Sequence, residues 1–226
     1  GRNYIVNKGV VDPSAWNDDN GHGSHVAGTI AAADNAIGAV GVAPDARLWA
    51  VKVLNRRGTG YLSDIADGIA ECVRAGSDVI NMSLGATADP AQDSPMKNAI
   101  DAAVAAGVKV VVAAGNEGQN INQTVPAGYS NVIAVSAIDS ADQFPSWSNY
   151  GLSLKDYAAP GVSIYSTWKS GGYNTISGTS MASPHVAGVV ALQLASGRPA
   201  LGYVDIMAAV SRQGRGRIDA LLTVSP

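Results

Sequence analysis

Two hydrophobic patterns alternate along the chain. Runs that are wholly or mostly apolar, such as Val79-Ile80 and residues 108–112, are typical of strands that are covered on both faces of a parallel sheet. Between them, apolar residues recur every three or four positions, which predicts helices. The predicted strands are 46–54, 78–84, 108–114 and 131–137, with weaker candidates at 156–159, 162–167 and 173–177. The predicted helices are 22–33, 62–75, 95–106 and 179–196, with shorter ones at 202–211 and 218–223. The alternation predicts one domain over residues 1–226, an α/β fold with a doubly wound, mostly parallel sheet between two helical layers.

Composition agrees with a globular domain and excludes some partners. The chain has 226 residues, 46% of them hydrophobic and 15% charged, which is enough for a substantial core. Its net charge of −3 contains no block of like charge, so neither nucleic acid nor an anionic membrane is an expected partner. No apolar run approaches the roughly 20 residues of a membrane span. Cys72 is the single cysteine, so no internal disulfide is possible.

The segment from Gly178 to His185 carries the strongest chemical signal. Ser180 lies one residue inside a predicted helix, behind a Gly-Thr turn. A hydroxyl at that position lies beside the unpaired backbone N–H groups of the first helical turn. Those donors favour negative charge, so the position suits a nucleophile that must generate and stabilise an oxyanion.

A serine nucleophile needs a neutral imidazole as its base, and the chain has three histidines. His185 follows Ser180 by five residues on the same helix and faces away from it. His22 and His25 begin another predicted helix. We favour His22, at its mouth, as the base and expect His25 to be a packed, hydrogen-bonded core residue. The glycines on either side of His22 allow another segment to approach closely.

Asn116 follows the predicted strand 108–114 in the sequence Gly115-Asn116-Glu117-Gly118. An asparagine at this position suits an ordinary turn. Its carboxamide N–H is also a candidate donor to an oxyanion, opposite the backbone N–H of Ser180. The sequence pattern alone leaves both interpretations open.

Three motifs together resemble the histidine, oxyanion-hole and serine blocks of the subtilisin family. They are residues 22–29 (HGSHVAGT), 113–118 (AAGNEG) and 178–188 (GTSMASPHVAG). The resemblance covers nearly the whole chain and implies a secreted serine endopeptidase of subtilisin-like fold. It implies Ser180 as nucleophile, His22 as general base and acid, and Asn116 with the Ser180 N–H as oxyanion hole. Met181, beside the nucleophile, would be sensitive to oxidation.

The same resemblance implies a groove for an extended polypeptide substrate. One wall would be Ser83-Leu84-Gly85 and the other would run from Gly58 to Gly60, each adding a strand to the substrate. Ala113, Ala114 and Gly115 would line the primary specificity pocket. Leu62, Ile65 and Leu84 would form a second apolar pocket, although ordinary core packing explains Ile65 equally well.

The resemblance also implies structural calcium. The loop after the histidine helix would provide oxygen ligands, which a hard cation prefers. Its implied ligands are the Asn35 side chain and the carbonyls of Ala33, Ile37 and Ala39. A second, weaker cation site would use the carbonyls of Ala127, Tyr129 and Val132.

One member of the family's catalytic triad has no counterpart here. The triad's aspartate precedes the histidine in sequence and ends a central strand. Asp12, Asp18 and Asp19 precede His22, but we interpret all three as solvated loop acids. We therefore expect a sheet without its first central strand, an unstable or inactive chain, and completion by an upstream segment. A pro-segment is a further expected partner.

Two other functions remain open at this point. A protease-derived domain that lacks turnover would keep the groove and bind peptides. An α/β-hydrolase esterase would need the pattern Gly-x-Ser-x-Gly, but Ala182 stands where the second glycine belongs, and the histidine precedes the serine. The endopeptidase is the leading hypothesis.

Overall fold

A computed structural model describes residues 1–7, 9–151, 156–197, 203–204 and 217–218. The helices are α1 His22–Ala31, α2 Leu62–Arg74, α3 Pro95–Ala105 and α4 Thr179–Ser196. The strands are β1 Arg2–Asn3, β2 Val6–Asn7, β3 Val10–Val11, β4 Val51–Lys52, β5 Val79–Met82, β6 Ala86–Thr87, β7 Lys109–Ala113, β8 Thr124–Val125, β9 Ile133–Ile138, β10 Tyr157–Pro160, β11 Ile164–Trp168, β12 Gly172–Ile176, β13 Tyr203–Val204 and β14 Arg217–Ile218. The predicted helices 202–211 and 218–223 lie almost wholly outside the described residues, and the parts that are described are strands.

The described part of the chain forms a mostly parallel sheet with the order β13-β14-β10-β9-β7-β5. Among the strands that the structure describes in this sheet, only β13 runs antiparallel to its neighbour. Helix α4 covers one face of this sheet, while α2 and α3 pack against each other on the other face. Helix α1 packs against α4. The α/β class and the three-layer arrangement are therefore confirmed.

Strand β5 shows how the sheet separates two cores. Ile80 and Met82 point into a cluster with Met96 and Ile100 of α3. The alternate position Val79 packs against the cluster formed by α4 and the other face of the sheet. Because successive side chains of a strand point to opposite faces, one strand contributes to both cores.

The sheet is divided where a central strand was predicted to be missing. Strands β1 and β4 pair parallel with each other in a separate two-stranded sheet, and β4 does not pair with β5. The prediction of a strand over 46–54 is wrong in length, since only Val51–Lys52 is a strand. Strand pairing requires a partner, and β1 offers one for only two residues. Within the described residues, β5 is bonded to β7 on one side only.

The capping residue is predicted correctly from the sequence for α3 and incorrectly for α2. The pair Ser94-Pro95 predicts a cap followed by proline at the first helical position. The structure confirms it, because Ser94 Oγ accepts a hydrogen bond from Lys97 N at 3.0 Å and α3 begins at Pro95. The sequence also predicts Ser63 or Asp64 as the cap of α2, and this is wrong, because both lie inside the first turn. The residue at that cap is Tyr61, which is extended and makes no side-chain cap.

Glu71 of α2 contacts the amino end of the chain through a hydrogen bond and an ion pair. Its side chain is 8% exposed and lies 2.7 Å from Arg74 and 3.7 Å from Arg2. Tyr4 Oη donates to its Oε2 at 2.9 Å.

The neighbouring Cys72 is a packed, unreactive cysteine, because burial raises the pKa of its thiol to about 11. None of the described helices has both the length and the apolar character that a membrane crossing requires.

Candidate active site

Ser180 lies in the first turn of α4, as predicted, and its side chain is partly buried. Its Oγ donates to the carbonyl oxygen of Ser83 at 3.3 Å. The neighbouring backbone donors are already used: Thr179 N bonds to Asn116 Oδ1 at 2.9 Å, and Met181 N bonds to Gly178 O at 3.0 Å. The N–H of Ser180 has no hydrogen-bond partner among the described residues, so the helix start presents one unsatisfied donor beside the hydroxyl.

Asn116 is oriented by Thr179. Its Oδ1 accepts from both the N–H and the Oγ1 of Thr179, at 2.9 and 3.0 Å. These bonds hold the carbonyl end of the amide and leave Nδ2 as a donor without a partner among the described residues. A Cβ placed on Gly178 would lie 3.7 Å from Ser180 N and 3.8 Å from Asn116 Nδ2. Because glycine leaves that space empty, both donors border the same small volume.

A cleft of about 380 Å³, partly open to solvent, brings several predicted residues together. Its lining includes Ser180, Asn116, Leu84 and Gly85, together with Ala113, Ala114 and Gly115. Gly58, Gly60 and Leu62 do not line it; they are exposed. Ile65 is buried in the core with 6% exposure, which favours the packing interpretation.

His22 is the first residue of α1, and its backbone N–H donates to Asn20 Oδ1 at 3.1 Å. Its ring makes no hydrogen bond to any residue that the structure describes, including Ser180. Burial lowers the pKa of His22, the neighbouring His25 lowers it further, and the negative charge of Asp18 opposes both. A lowered pKa keeps the imidazole neutral near pH 7, the form that accepts a proton.

The prediction that Asp18 is a solvated loop acid is wrong. Its Oδ1 accepts from the N–H groups of Asn20 and Gly21 at 2.9 and 2.8 Å. Its Oδ2 accepts from the N–H and the hydroxyl of Ser24 at 2.8 and 2.7 Å. These bonds lower the pKa of Asp18 to about 2, against the opposing effect of burial, which is the largest single contribution. Asp18 therefore satisfies backbone N–H groups at the start of α1, at Gly21 and Ser24.

The other two acids upstream of His22 remain at the surface, as expected. Asp12 is exposed and bonds to Ser14 in a local turn. Asp19 forms an ion pair with Lys52 at 2.7 Å, and its side chain is 51% exposed. Neither acid forms a hydrogen bond with the ring of His22.

His25 is confirmed as a packed core histidine. It is fully buried, and its Nε2 lies 2.9 Å from the Ile164 carbonyl of β11. His185 bonds to Met181 O at 2.8 Å and is held within its own helix. The predicted close approach is found at Gly21, where a Cβ would collide with the ring of Trp168. At Gly23 only Asp18 is near, at an ordinary 3.7 Å.

The predicted calcium ligands lie in the loop after α1. Ala33, Asn35 and Ile37 are exposed, Ala39 is partly buried, and Asn35 Oδ1 already accepts from Ile37 N at 2.8 Å. Calcium takes six to eight oxygens, so these four donors alone do not fit a complete site. No group of three or more His, Cys, Asp or Glu side chains in the described residues forms a metal site. Ala127, Tyr129 and Val132 are buried, and the second cation site stays a prediction.

Sequence reasoning missed the side chains that support the site. They are Thr179 and Asp18, described above, and Ser83 with Ser183, whose hydroxyl oxygens lie 2.8 Å apart. Thr179 contacts Asn116 across 63 positions of sequence, and Ser83 contacts Ser183 across 100. Local patterns carry no information about such contacts. Short polar residues inside the Gly-Thr-Ser and Ser-Leu-Gly segments were the available signal.

The fold and the site define a doubly wound α/β protein with a serine at a helix start, beside a cleft. A family model described as the subtilase family matches residues 2–213. Subtilisin DY from Bacillus licheniformis is 51% identical over 188 residues, which are 81% of this chain and 67% of that protein. The thermostable alkaline protease of Halalkalibacterium halodurans is 50% identical over 184 residues, covering 81% of this chain and 49% of that protein.

A solved structure of a cold-adapted subtilisin-like serine proteinase has a TM-score of 0.77 and 33% identity. It covers 97% of this chain, which spans 78% of that protein. The chain belongs to the subtilase family. It spans between about half and two thirds of the length of the curated relatives described above.

Proposed function

We propose that this chain is the peptidase domain of a secreted serine endopeptidase that cleaves extended polypeptides through an acyl-enzyme. The observation that carries the proposal is that Ser180 N and Asn116 Nδ2, which have no hydrogen-bond partner among the described residues, border the same small volume at Gly178. Such donors lower the barrier where negative charge develops on the carbonyl oxygen. Family membership supports the same chemistry.

In the proposed mechanism, His22 removes the proton of Ser180 Oγ as the oxygen attacks the substrate carbonyl carbon. The carbonyl oxygen becomes an oxyanion that accepts hydrogen bonds from Asn116 Nδ2 and Ser180 N. His22 then gives the proton to the leaving amine, the C–N bond breaks, and an acyl-Ser180 ester remains. A water molecule then gives a proton to His22 and attacks the ester carbonyl carbon, which forms a second oxyanion. The bond to Ser180 Oγ breaks, His22 returns the proton to Ser180, and the carboxylic acid product leaves.

The cleft supports a broad preference for apolar side chains. Ala113, Ala114 and Gly115 have small or no side chains, so they leave room beside Ser180 and Asn116. These three residues carry no charge; the charged residue that lines the cleft, Glu117, accepts a hydrogen bond from Asn149 Nδ2 at 2.8 Å. The segment Ser83-Leu84-Gly85, between β5 and β6, would pair with the substrate backbone, which recognises an extended chain independently of its sequence.

We further propose that residues 1–226 alone are impaired and that a segment carrying a strand and a carboxylate completes them. Two observations support this: no described carboxylate bonds to the ring of His22, and no strand in the described part of the chain pairs with both β4 and β5. Loss of the carboxylate that orients the histidine costs about 10⁴-fold in turnover in triad proteases. Open strand edges leave backbone groups unpaired.

A fluorophosphonate probe tests the chemistry directly. We expect labelling that Ser180→Ala removes and that His22→Ala reduces, while Asn116→Ala slows it by about 10²- to 10³-fold, the range found in subtilisins. The matched control is Asn122→Ala, at an exposed position of the short 3₁₀ helix Ile121–Gln123. Labelling that survives Ser180→Ala contradicts the assignment of the nucleophile. Cooperative melting together with rapid peptide hydrolysis by residues 1–226 contradicts the impairment.

The second candidate is a peptide-binding domain without turnover. The ring of His22 makes no hydrogen bond to any described residue, and this favours the binding domain, because a serine without an oriented base is a weak nucleophile. Peptide binding measured by calorimetry, with no labelling of Ser180 even after an upstream segment is restored, would select this candidate.

A further inference from the structure

We propose that Ser83 is a positioning residue for Ser180, because its hydroxyl takes the place of a backbone donor that Pro184 cannot supply. The proposal rests on the proposed function of Ser180. The residues involved, Asn81, Ser83 and Ser183, are called the Ser83 network below. They connect the end of β5 to the first turn of α4.

Pro184 creates the need for this contact. In an α-helix the carbonyl of residue i accepts from the N–H of residue i+4. Pro184 lies four residues after Ser180 inside α4 and has no N–H, so the Ser180 carbonyl loses its helical partner. Ser83 Oγ donates to that carbonyl at 2.9 Å, across 97 positions of sequence.

The direction of every hydrogen bond in the network follows from the donors available. The Ser180 carbonyl can only accept, so the single hydroxyl proton of Ser83 is committed to it. Asn81 Nδ2 can only donate, and it lies 3.0 Å from Ser83 Oγ. Ser183 Oγ, 2.8 Å away, must therefore donate as well. Ser83 thus donates one bond and accepts two, which fully satisfies its hydroxyl.

The network fixes the nucleophile from two sides. Ser83 Oγ holds the carbonyl of Ser180, while Ser83 O accepts from the Ser180 hydroxyl at 3.3 Å. Ser183 is fully buried, so water does not compete readily for its bond. The first turn of α4 also orients the Ser180 N–H, so the hydroxyl and the oxyanion donor depend on the same contact. A small displacement of such groups is costly to catalysis.

The test compares four variants with the unmodified chain in fluorophosphonate labelling. Ser83→Ala is expected to lower the second-order rate constant by about tenfold. Ser83→Thr keeps the hydroxyl and is expected to recover most of that loss. Ser83→Ala combined with Pro184→Ala restores a backbone N–H opposite the Ser180 carbonyl and is expected to recover part of it. Ser196→Ala, at the exposed far end of α4, is the matched control and leaves the rate unchanged.

Two further readouts separate positioning from general loss of structure. The backbone of Ser83 is retained, so KM for a peptide substrate is expected to stay constant while kcat falls. Hydrogen exchange in residues 177–187 is expected to rise in Ser83→Ala and to stay constant in Ser196→Ala. An equal labelling rate and equal exchange in both variants overturn the proposal.

The failure of this proposal is distinguishable from failure of the proposed function. If the unmodified chain does not react with the probe, the role of Ser180 is wrong or incomplete, and hydrogen exchange decides alone whether Ser83 holds the first turn. If the chain reacts and Ser83→Ala reacts equally fast, the peptidase chemistry stands and the positioning role is wrong.

Discussion

Asp18→Asn is expected to destabilise the start of α1 and with it the position of His22. Both carboxylate oxygens of Asp18 accept hydrogen bonds, two from the loop and two from Ser24. Asparagine keeps one acceptor oxygen and replaces the other with an NH₂ group, which cannot accept. At least two bonds are lost, and the new donor faces existing donors.

The pKa of Asp18 sets the size of the effect. A fall from the ordinary 3.8 to about 2 corresponds to roughly 2 kcal/mol of stabilisation of the charged form. The side chain is only partly buried, so solvent screening reduces the expected contribution to about 1 kcal/mol. In a chain of 226 residues this lowers Tm by about 2–4 °C.

The sign of the pH dependence follows from the lowered pKa. The unfolded chain binds a proton at Asp18 more readily than the folded chain does. The stabilisation is therefore complete above the ordinary pKa of 3.8 and disappears as the pH falls through about 2. The difference between Asp18→Asn and the unmodified chain should shrink accordingly in acid.

The assay is thermal melting at pH 7 and at pH 2.5, with Asp12→Asn as the matched control. Asp12 undergoes the same change in charge but is exposed, and only its Oδ1 accepts hydrogen bonds, both from Ser14. Asp18→Asn should lower Tm at pH 7 clearly more than Asp12→Asn does. Equal shifts for the two variants, or an undiminished difference at pH 2.5, would refute the reasoning.

The same substitution also tests the electrostatics of the proposed base. The charge of Asp18 raises the pKa of His22 against the effect of burial, so Asp18→Asn should lower that pKa. An NMR titration of the His22 ring measures it in a Ser180→Ala background, where autolysis is absent. Asp12→Asn should leave it constant, and an upward shift in Asp18→Asn contradicts the assigned interaction.

Three further substitutions probe other contacts. Thr179→Val removes the hydroxyl bond to Asn116 and should slow fluorophosphonate labelling by about five- to tenfold, with unchanged KM; an unchanged rate argues against the role of Thr179 in orienting the amide. Burial lowers the pKa of His25 and His185 below 6.5, so the unfolded chain takes up protons first and the free energy of unfolding should fall from pH 7 to pH 5. His185→Gln should flatten this slope in urea titrations, and an unchanged slope removes His185 from the account. Glu71→Gln weakens two ion pairs and should raise hydrogen exchange in residues 2–4; equal exchange shows that the cluster does not anchor the amino end.

Sequence patterns predicted the four long helices well because their signals are local. Helix α4 has the predicted bounds, and α3 ends one residue earlier than expected. Residues three and four apart lie on one face of a helix, so apolar spacing reports the buried side directly. Strand β4 was predicted too long because the length of a strand depends on its partner, which local sequence does not contain.

The candidate site was predictable where a motif carries the chemistry. Ser180 and Asn116 meet in one cleft, but the contacts that orient them join distant positions. The structure shows that Thr179 orients Asn116 and that Ser83 holds Ser180. Both contacts arise only when α4 packs on the sheet. Besides the short polar residues of the Gly-Thr-Ser and Ser-Leu-Gly segments, Pro184 was a clue in the sequence, because a proline four residues after Ser180 leaves a carbonyl without its helical donor.

The Ser83 network makes the open edge of the sheet relevant to the nucleophile. Strand β5 carries Asn81 and ends just before Ser83, yet in the described residues it is paired on one side only. Asn81 Oδ1 is buried and has no partner among the described residues. A strand held by one ladder opens more readily than one held by two. A strand that pairs with the open edge of β5 would therefore steady Ser83, and through it Ser180, without touching the nucleophile. Completion of the sheet would act on the serine as well as on the histidine.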